Sequence, residues 1–168
     1  MDLLIVRHAT AVDHGDPAYA RDDDRPLTPD GIHKFRAAVR GLKELGVRLD
    51  RIVTSPLARA RQTAEILRDG LAPEIDLDVS RHLAPGGDYE ALLRDLAALG
   101  ADRVAVVGHE PHLSGLASHV LVGSKARASV LFKKGAAALV VFDGKPEAGS
   151  GTLEWLLQPG ALRDVGRP

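Results

Sequence analysis

Two arginines and two histidines each lie shortly after an apolar run of the sequence. Arg7 and His8 follow the first run, Arg59 comes soon after the second, and His109 follows the third. In open α/β sheets the ligand crevice lies beyond the carboxyl ends of the strands, where such side chains converge. Any one of them alone fits a cap or a rim salt bridge. Because all four follow predicted strands, we expect them to share one site.

Guanidinium and imidazole groups in one cleft suit the binding and attack of a phosphoryl group. Guanidinium forks match phosphate oxygens and stay charged, so Arg7 and Arg59 are expected to clamp the phosphate beside a positive helix N-terminus. An unperturbed imidazole has a pKa of about 6.5 and is partly neutral at physiological pH, so His8 fits a nucleophile that attacks phosphorus. His109 fits the stabilisation of charge on the equatorial oxygens.

Short apolar runs alternate with longer segments of helical period, which is the pattern of an α/β domain. The predicted central strands cover residues 3–6, 51–54, 103–107 and 138–142. After a segment rich in Gly, Pro and Ser, residues 152–157 alternate weakly, as an edge strand does. We therefore expect a three-layer α/β/α sandwich with a mostly parallel central sheet and a late antiparallel edge strand.

Four helices are predicted between these strands. The first has Thr28 as its N-cap and Pro29 at its first position. The other three are expected to begin near Pro56, after Asp88 and near Pro111, and to end at stop glycines, which are Gly70, Gly100 and Gly123.

Several polar residues and segments outside the four predicted site residues are expected to have structural or surface roles. Residues 22–24 form an acidic run, for which we favour a solvated loop beside neighbouring arginines over a metal site. Residues 159–168 read as a polar, loosely held tail. Ser55 lacks a GxSxG setting, so it is expected to cap the helix that carries Arg59 and is rejected as a nucleophile. Lys133 and Lys134 either line the pocket rim or are solvated.

Composition narrows the class of protein. The chain has 168 residues, of which 45% are hydrophobic, and this length suits one domain with a real core. A net charge of −1 offers no basic face for nucleic acid, and no apolar stretch is long enough for a membrane span. There is no cysteine, which fits a reducing compartment. We expect a cytoplasmic protein that binds neither nucleic acid nor membrane.

Three segments resemble the signatures of the histidine phosphatase superfamily, namely LIVRHATA, TSPLARARQTA and VVGHEPH. The segments RPLTPDG and FKKGA are similar to its SixA-type phosphohistidine phosphatase branch. The resemblance implies a single domain over residues 1–168, with His8 transiently phosphorylated and then hydrolysed by water, and with no metal or organic cofactor. It also implies a phosphate pocket formed by Arg7, His8, Arg59 and His109. One departure is Ala9, where the family usually has glycine; alanine fits if its backbone needs no positive φ.

Larger members of this superfamily use a carboxylic acid to protonate the leaving alcohol. The candidates here are Glu110, Asp16, Asp88 and Glu90, and all four remain open because each also has an ordinary structural interpretation. The imidazole of phosphohistidine departs more readily than an alkoxide. Without an assigned acid, the predicted substrate is phosphohistidine on a partner protein, and a small phosphorylated molecule is the alternative.

Two other classes of function compete with this prediction. His109 and His112 are three residues apart, but catalytic zinc usually needs three protein ligands, so we predict no metal site and expect His112 to be a capping or rim residue. A regulatory module that binds phosphate or polyphosphate without turnover would also use these arginines. The presence of a nucleophile argues against that module.

Overall fold

The computed structural model describes residues 1–125 and 128–167. Six strands in this part of the chain form one sheet: β1 (Asp2–Arg7), β2 (Arg51–Thr54), β3 (Leu77–Val79), β4 (Arg103–Gly108), β5 (Ala137–Val141) and β6 (Thr152–Leu157). Their order is β3-β2-β4-β1-β5-β6. The first four strands of that order are parallel, β5 is antiparallel to β1, and β6 is antiparallel to β5. The mostly parallel sheet with a late antiparallel edge strand is thus confirmed.

Helices cover both faces of the sheet. They are α1 (Pro29–Glu44), α2 (Ala58–Leu71), α3 (Tyr89–Ala98), α4 (His112–Val122) and α5 (Pro159–Val165). Buried side chains of α1, α2 and α5 form one core, and those of α3 and α4 form the other. The side chains of β1 alternate between the two cores, as the two-residue period of a strand requires. The predicted α/β/α layering is therefore confirmed.

The predicted start signals of α1 and α3 act through side-chain caps. The Thr28 hydroxyl accepts from the Gly31 amide at 3.0 Å, and the Asp88 carboxylate accepts from the Ala91 amide at 3.1 Å. Each cap satisfies an amide that has no partner within its own helix. Among the described residues, no helix combines the length and apolarity needed to cross a bilayer.

The prediction for α2 is wrong at both ends. The helix begins at Ala58 rather than near Pro56, and it runs through Gly70 to Leu71. Gly70 lies inside the helix, where the lack of a side chain allows α2 to pack closely against α1. A Cβ atom at this position would lie 2.4 Å from Cγ1 of Val39 on α1. The glycine lets the two helices approach each other.

The chain after β6 forms a helix, so the prediction of a loosely held tail is also wrong. Leu162 of α5 is fully buried in the core that α1 shares with α5. A Cβ at Gly41 of α1 would lie 1.9 Å from the Leu162 carbonyl oxygen, so glycine permits this packing. A seven-residue helix with one buried side chain leaves little periodicity to detect. The three-residue strand β3 was missed for the same reason.

Candidate active site

The four predicted site residues lie where β1, β2 and β4 end. Arg7 is the last residue of β1 and His8 follows it, while His109 follows Gly108 at the end of the neighbouring strand β4. The His8 amide donates to the Gly108 carbonyl at 3.0 Å. As a result, the His8 and His109 rings lie with their centroids 5.0 Å apart. Arg59 approaches from the first turn of α2.

The His8 ring has a defined orientation and protonation pattern. Its Nδ1 lies 2.7 Å from the Ala9 carbonyl oxygen. A carbonyl oxygen can only accept, so Nδ1 carries the hydrogen and Nε2 carries a lone pair. The side chain is buried, and burial, together with the nearby charges of Arg59 and Arg7, lowers the pKa of His8 to about 4. The imidazole is therefore neutral at physiological pH.

The backbone after His8 is tied to α2. The Ala9 amide donates to the Thr63 hydroxyl at 3.0 Å, and that hydroxyl donates to the Arg59 carbonyl at 2.7 Å. The backbone of Ala9 does not have a positive φ, so alanine can replace the glycine that the family usually has at this position. Thr63, fully buried, was missed by sequence reasoning, although it lies four residues after Arg59 on the same helix face.

His109 is held by a serine. Its Nε2 lies 2.8 Å from the Ser55 hydroxyl oxygen, and both side chains are buried. Burial and the proximity of His8 lower the pKa of His109 to about 3. The expectation that Ser55 is the N-cap of α2 is wrong, because Leu57 occupies that position and makes no side-chain cap. Ser55 instead orients His109 from the end of β2.

Arg7 reaches across the site toward the segment before β5. Its Nη1 donates to the Phe132 carbonyl at 2.6 Å, while its buried Nε has no hydrogen-bond partner among the described residues. Burial lowers the pKa of this guanidinium, and the negative charge of Glu110 opposes that effect.

Arg59 is bound by the acidic run, which sequence reasoning placed in solvent. Its Nη1 donates to the Asp22 carbonyl at 2.9 Å and its Nη2 to Asp22 Oδ2 at 3.0 Å. Asp22 also forms an ion pair with Arg25, and its Oδ1 lies 2.7 Å from His14 Nδ1. The solvated-loop prediction is thus wrong for Asp22, and the first aspartate of the run is part of the site wall. The buried Arg59 Nε, like that of Arg7, has no partner in the described residues.

Comparison with known proteins shows the family of this chain. Residues 3–84 match the family model of the histidine phosphatase superfamily (branch 1). The chain is 34% identical to the phosphohistidine phosphatase SixA of Escherichia coli, over 97% of both chains. The chain belongs to the histidine phosphatase superfamily.

Further relatives of this histidine phosphatase cover most of its length. The structure of a protein histidine phosphatase SixA complexed with tungstate aligns with a TM-score of 0.84 and 32% identity, covering 96% of this chain and 99% of that one. An uncharacterised protein of Picosynechococcus sp. is 39% identical over 80% of this chain and 82% of its own length. The superfamily and the SixA homology identify the protein as a phosphatase, which is a hydrolase.

The four carboxylates considered as proton donors of the histidine phosphatase each have a partner elsewhere. Asp16 accepts from the Ala18 amide, Asp88 caps α3, and Glu90 pairs with His119 at 2.9 Å. Each of these three makes a local structural contact.

Glu110 lies nearest to the site but is fully engaged. Its carboxylate accepts from the Ser114 hydroxyl at 2.7 and 2.8 Å and from the Phe132 amide at 3.3 Å. Within the described part of the chain, none of the four carboxylates hydrogen-bonds to His8, Arg59 or His109. The assignment of an acid among these four carboxylates therefore stays a prediction.

Two further predictions concern the surroundings of the site. His112 is buried and donates from Nε2 to the His82 carbonyl at 2.9 Å, so its prediction as a rim residue is wrong. Lys133 and Lys134 are exposed, and the charge of Lys134 is one of the causes that lower the pKa of His8. Lys134 therefore adds positive charge near the pocket.

Proposed function

We propose that this phosphatase removes phosphate from phosphohistidine on a partner protein through a phosphorylated His8 intermediate. The observation that carries the proposal is the hydrogen bond from His8 Nδ1 to the Ala9 carbonyl. It leaves a lone pair on Nε2, and burial keeps the ring neutral at physiological pH. A neutral, fixed imidazole is ready to attack phosphorus.

Three buried nitrogen atoms support a phosphate clamp formed by the two arginines and His109. These are Nε of Arg7, Nε of Arg59 and Nδ1 of His109, and none has a partner among the described residues. Buried polar groups are nearly always hydrogen-bonded, so three unpaired nitrogens on residues close to His8 favour an anionic ligand. With Nδ1 of His109 protonated, its Nε2 accepts from the Ser55 hydroxyl. Ser55 would thus fix the tautomer that donates to the phosphoryl oxygens.

The proposed reaction has two displacements at phosphorus. First, His8 Nε2 forms a bond to phosphorus while the P–N bond of the substrate breaks. The leaving imidazole, protonated on its other nitrogen, departs neutral. Water then attacks phosphorus, the bond to Nε2 breaks, and its electron pair returns to His8. One proton of the water stays on the phosphate and the other passes to solvent.

The chemistry of the leaving group favours a phosphoramidate over an alcohol ester. An alkoxide needs a proton as it departs, and the four candidate acids are held in other contacts. A protonated imidazole needs none. Similarity to SixA phosphohistidine phosphatase across nearly the whole chain supports the same substrate class.

We also propose a cytoplasmic location for the protein and a single domain over residues 1–168. The single sheet of the structure supports the single domain.

A substrate panel tests the proposal. The wild type is assayed on a phosphohistidine peptide, an aryl phosphate, sugar phosphates and nucleotides, each with and without a chelator. His8→Ala serves as the inactive reference, and His33→Ala, which removes an exposed histidine of α1, serves as the matched control. We expect phosphohistidine to have the highest kcat/KM, with no effect of the chelator. A clear preference for sugar phosphates would make the protein a small-molecule phosphatase.

A further inference from the structure

The Arg59 guanidinium is divided into a held edge and an open edge. A guanidinium has five N–H groups; the two Nη groups form one edge, and Nε with its neighbouring Nη forms another. Asp22 takes the first edge, through its carbonyl and its carboxylate, at 2.9 and 3.0 Å. The buried Nε remains unpaired among the described residues. The open edge is the one that can grip two phosphoryl oxygens.

Arg7 has the same arrangement, although it comes from a different element. Its Nη1 is held by the Phe132 carbonyl at 2.6 Å, and its buried Nε is likewise unpaired in the described part of the chain. Both arginines therefore have Nη fixed by the protein and Nε left for a ligand. Arg59 differs in that a charged side chain supplies part of its anchor.

Asp22 is itself firmly held. Its Oδ1 accepts from Arg25 Nε at 2.7 Å and lies 2.7 Å from His14 Nδ1, while its Oδ2 faces Arg59. Arg25 in turn donates from Nη1 to the Val12 carbonyl. One carboxylate oxygen is thus anchored to the loop, and the other presents a fixed acceptor to Arg59.

We propose that Asp22 is a positioning residue that orients Arg59 so that its Nε edge faces the transferring phosphoryl group. The proposal rests on the proposed function in one respect, which is that Arg59 binds this group. Holding the long arginine side chain in place before binding removes part of the entropy cost of forming the clamp. The opposite relation, in which Asp22 competes with phosphate for Arg59, predicts the opposite result on removing Asp22.

Competitive inhibition by inorganic phosphate tests the proposal without depending on the natural substrate. The control is Asp23→Ala, which alters the adjacent aspartate of the same 3₁₀ helix; in the described residues, Asp23 pairs with exposed Arg21 at 3.5 Å and influences Arg59 by its charge without a hydrogen bond to it. For Asp22→Ala we expect the inhibition constant to rise about tenfold, as loss of an oriented charged contact predicts, while the control stays within about twofold. A lower inhibition constant for Asp22→Ala would show competition and overturn the proposal.

A double-mutant cycle and a spectroscopic signal separate positioning from general loop damage. In an Arg59→Ala background, Asp22→Ala should change phosphate binding less than about twofold, because it acts through Arg59. In NMR spectra, phosphate should shift the Arg59 Nε–H resonance of the wild type, and Asp22→Ala should abolish that shift. An unchanged shift or an undiminished effect in the double variant would refute positioning. If Arg59→Ala itself leaves phosphate binding intact, the clamp in the proposed function fails instead.

Discussion

Two groups of histidines in the molecule bring an imidazole ring close to another ring. His8 and His109 meet at the sheet edge, with their centroids 5.0 Å apart. His112 and His119 of α4 flank the ring of Tyr89, at 4.5 and 5.5 Å between centroids. Both groups bring imidazoles together in a partly or fully buried setting. Proximity alone therefore does not distinguish a reactive imidazole from a structural one.

The difference lies in which ring nitrogen is occupied. In the Tyr89 group, His112 Nε2 donates to the His82 carbonyl and His119 Nε2 pairs with Glu90. At the sheet edge, His8 is held through Nδ1, which leaves the lone pair of Nε2 for chemistry. Burial lowers the pKa of His8, and the charges of the two adjoining arginines add to that effect. His112 and His119 have Nε2 bound, as His109 does through Ser55, whereas the candidate nucleophile His8 is bound through Nδ1 and keeps Nε2 available.

The largest expected difference between the two groups is in activity. His8→Gln should lower kcat by at least about a thousandfold, because it removes the nucleophile. The matched change, His112→Gln, should keep kcat within about threefold, because the glutamine amide can still donate to the His82 carbonyl. Steady-state kinetics of both variants measures this contrast. Equal losses in the two variants would remove the distinction.

The atoms of His109 provide the second test. His109→Gln keeps a side-chain amide near Ser55 in place of Nε2 but loses Nδ1. This variant should lower kcat/KM about a hundredfold, because it removes one hydrogen-bond donor to the transition state. His109→Asn, which places an amide near the Nδ1 position, should lose less. If the asparagine variant is the weaker enzyme, Nε2 rather than Nδ1 faces the substrate.

Acid sensitivity of folding follows from the lowered pKa of His8. The folded-state pKa of about 4 lies below the ordinary value near 6.5, so the unfolded chain binds more protons between these values. Stability is therefore present above about pH 6.5 and is lost as the pH falls toward 4. The loss from His8 at pH 5 is about 2 kcal/mol. Urea unfolding at pH 8 and pH 5 should show a smaller loss for His8→Gln than for the wild type; equal losses would contradict the lowered pKa.

The smallest effect is expected from the serine that holds His109. Ser55→Ala removes the hydroxyl 2.8 Å from His109 Nε2 and should lower kcat/KM about tenfold, because the ring loses the partner that orients it. The control is Ser150→Ala, which alters an exposed serine. A loss below about twofold would show that the ring is oriented without Ser55.

The sequence was sufficient to predict five of the six strands in the described residues, and the residues that follow β1, β2 and β4. Buried β-branched runs mark β1, β2 and β4, and parallel pairing brings Arg7, His8 and His109 to one edge. The fold class was predictable on that basis, and the superfamily from the resemblance of the segments LIVRHATA, TSPLARARQTA and VVGHEPH. The roles of these side chains stay predictions that the experiments above address.

Contacts between distant segments were not predictable from local pattern. Asp22 reads as one of three solvated aspartates, and only the path of the loop brings it 3.0 Å from Arg59, 37 residues away. Ser55 fits an N-cap by position, but α2 begins three residues later and frees its hydroxyl for His109. The burial of Leu162 could not be predicted from its own segment, because it depends on the close packing of α5 against Gly41 of α1. In each case the partner lies far along the chain, where periodicity carries no information.

The most direct test of the central claim is the site of phosphorylation. The wild type is mixed rapidly with phosphohistidine peptide, quenched in alkali, digested and examined by mass spectrometry and ³¹P NMR, with His33→Ala and His8→Gln treated alongside. The proposed mechanism predicts a transient phosphoryl group on Nε2 of His8 in the wild type and in His33→Ala, and none in His8→Gln. Turnover with no phosphoenzyme on His8, or a phosphoryl group on Nδ1 or on another residue, would contradict it.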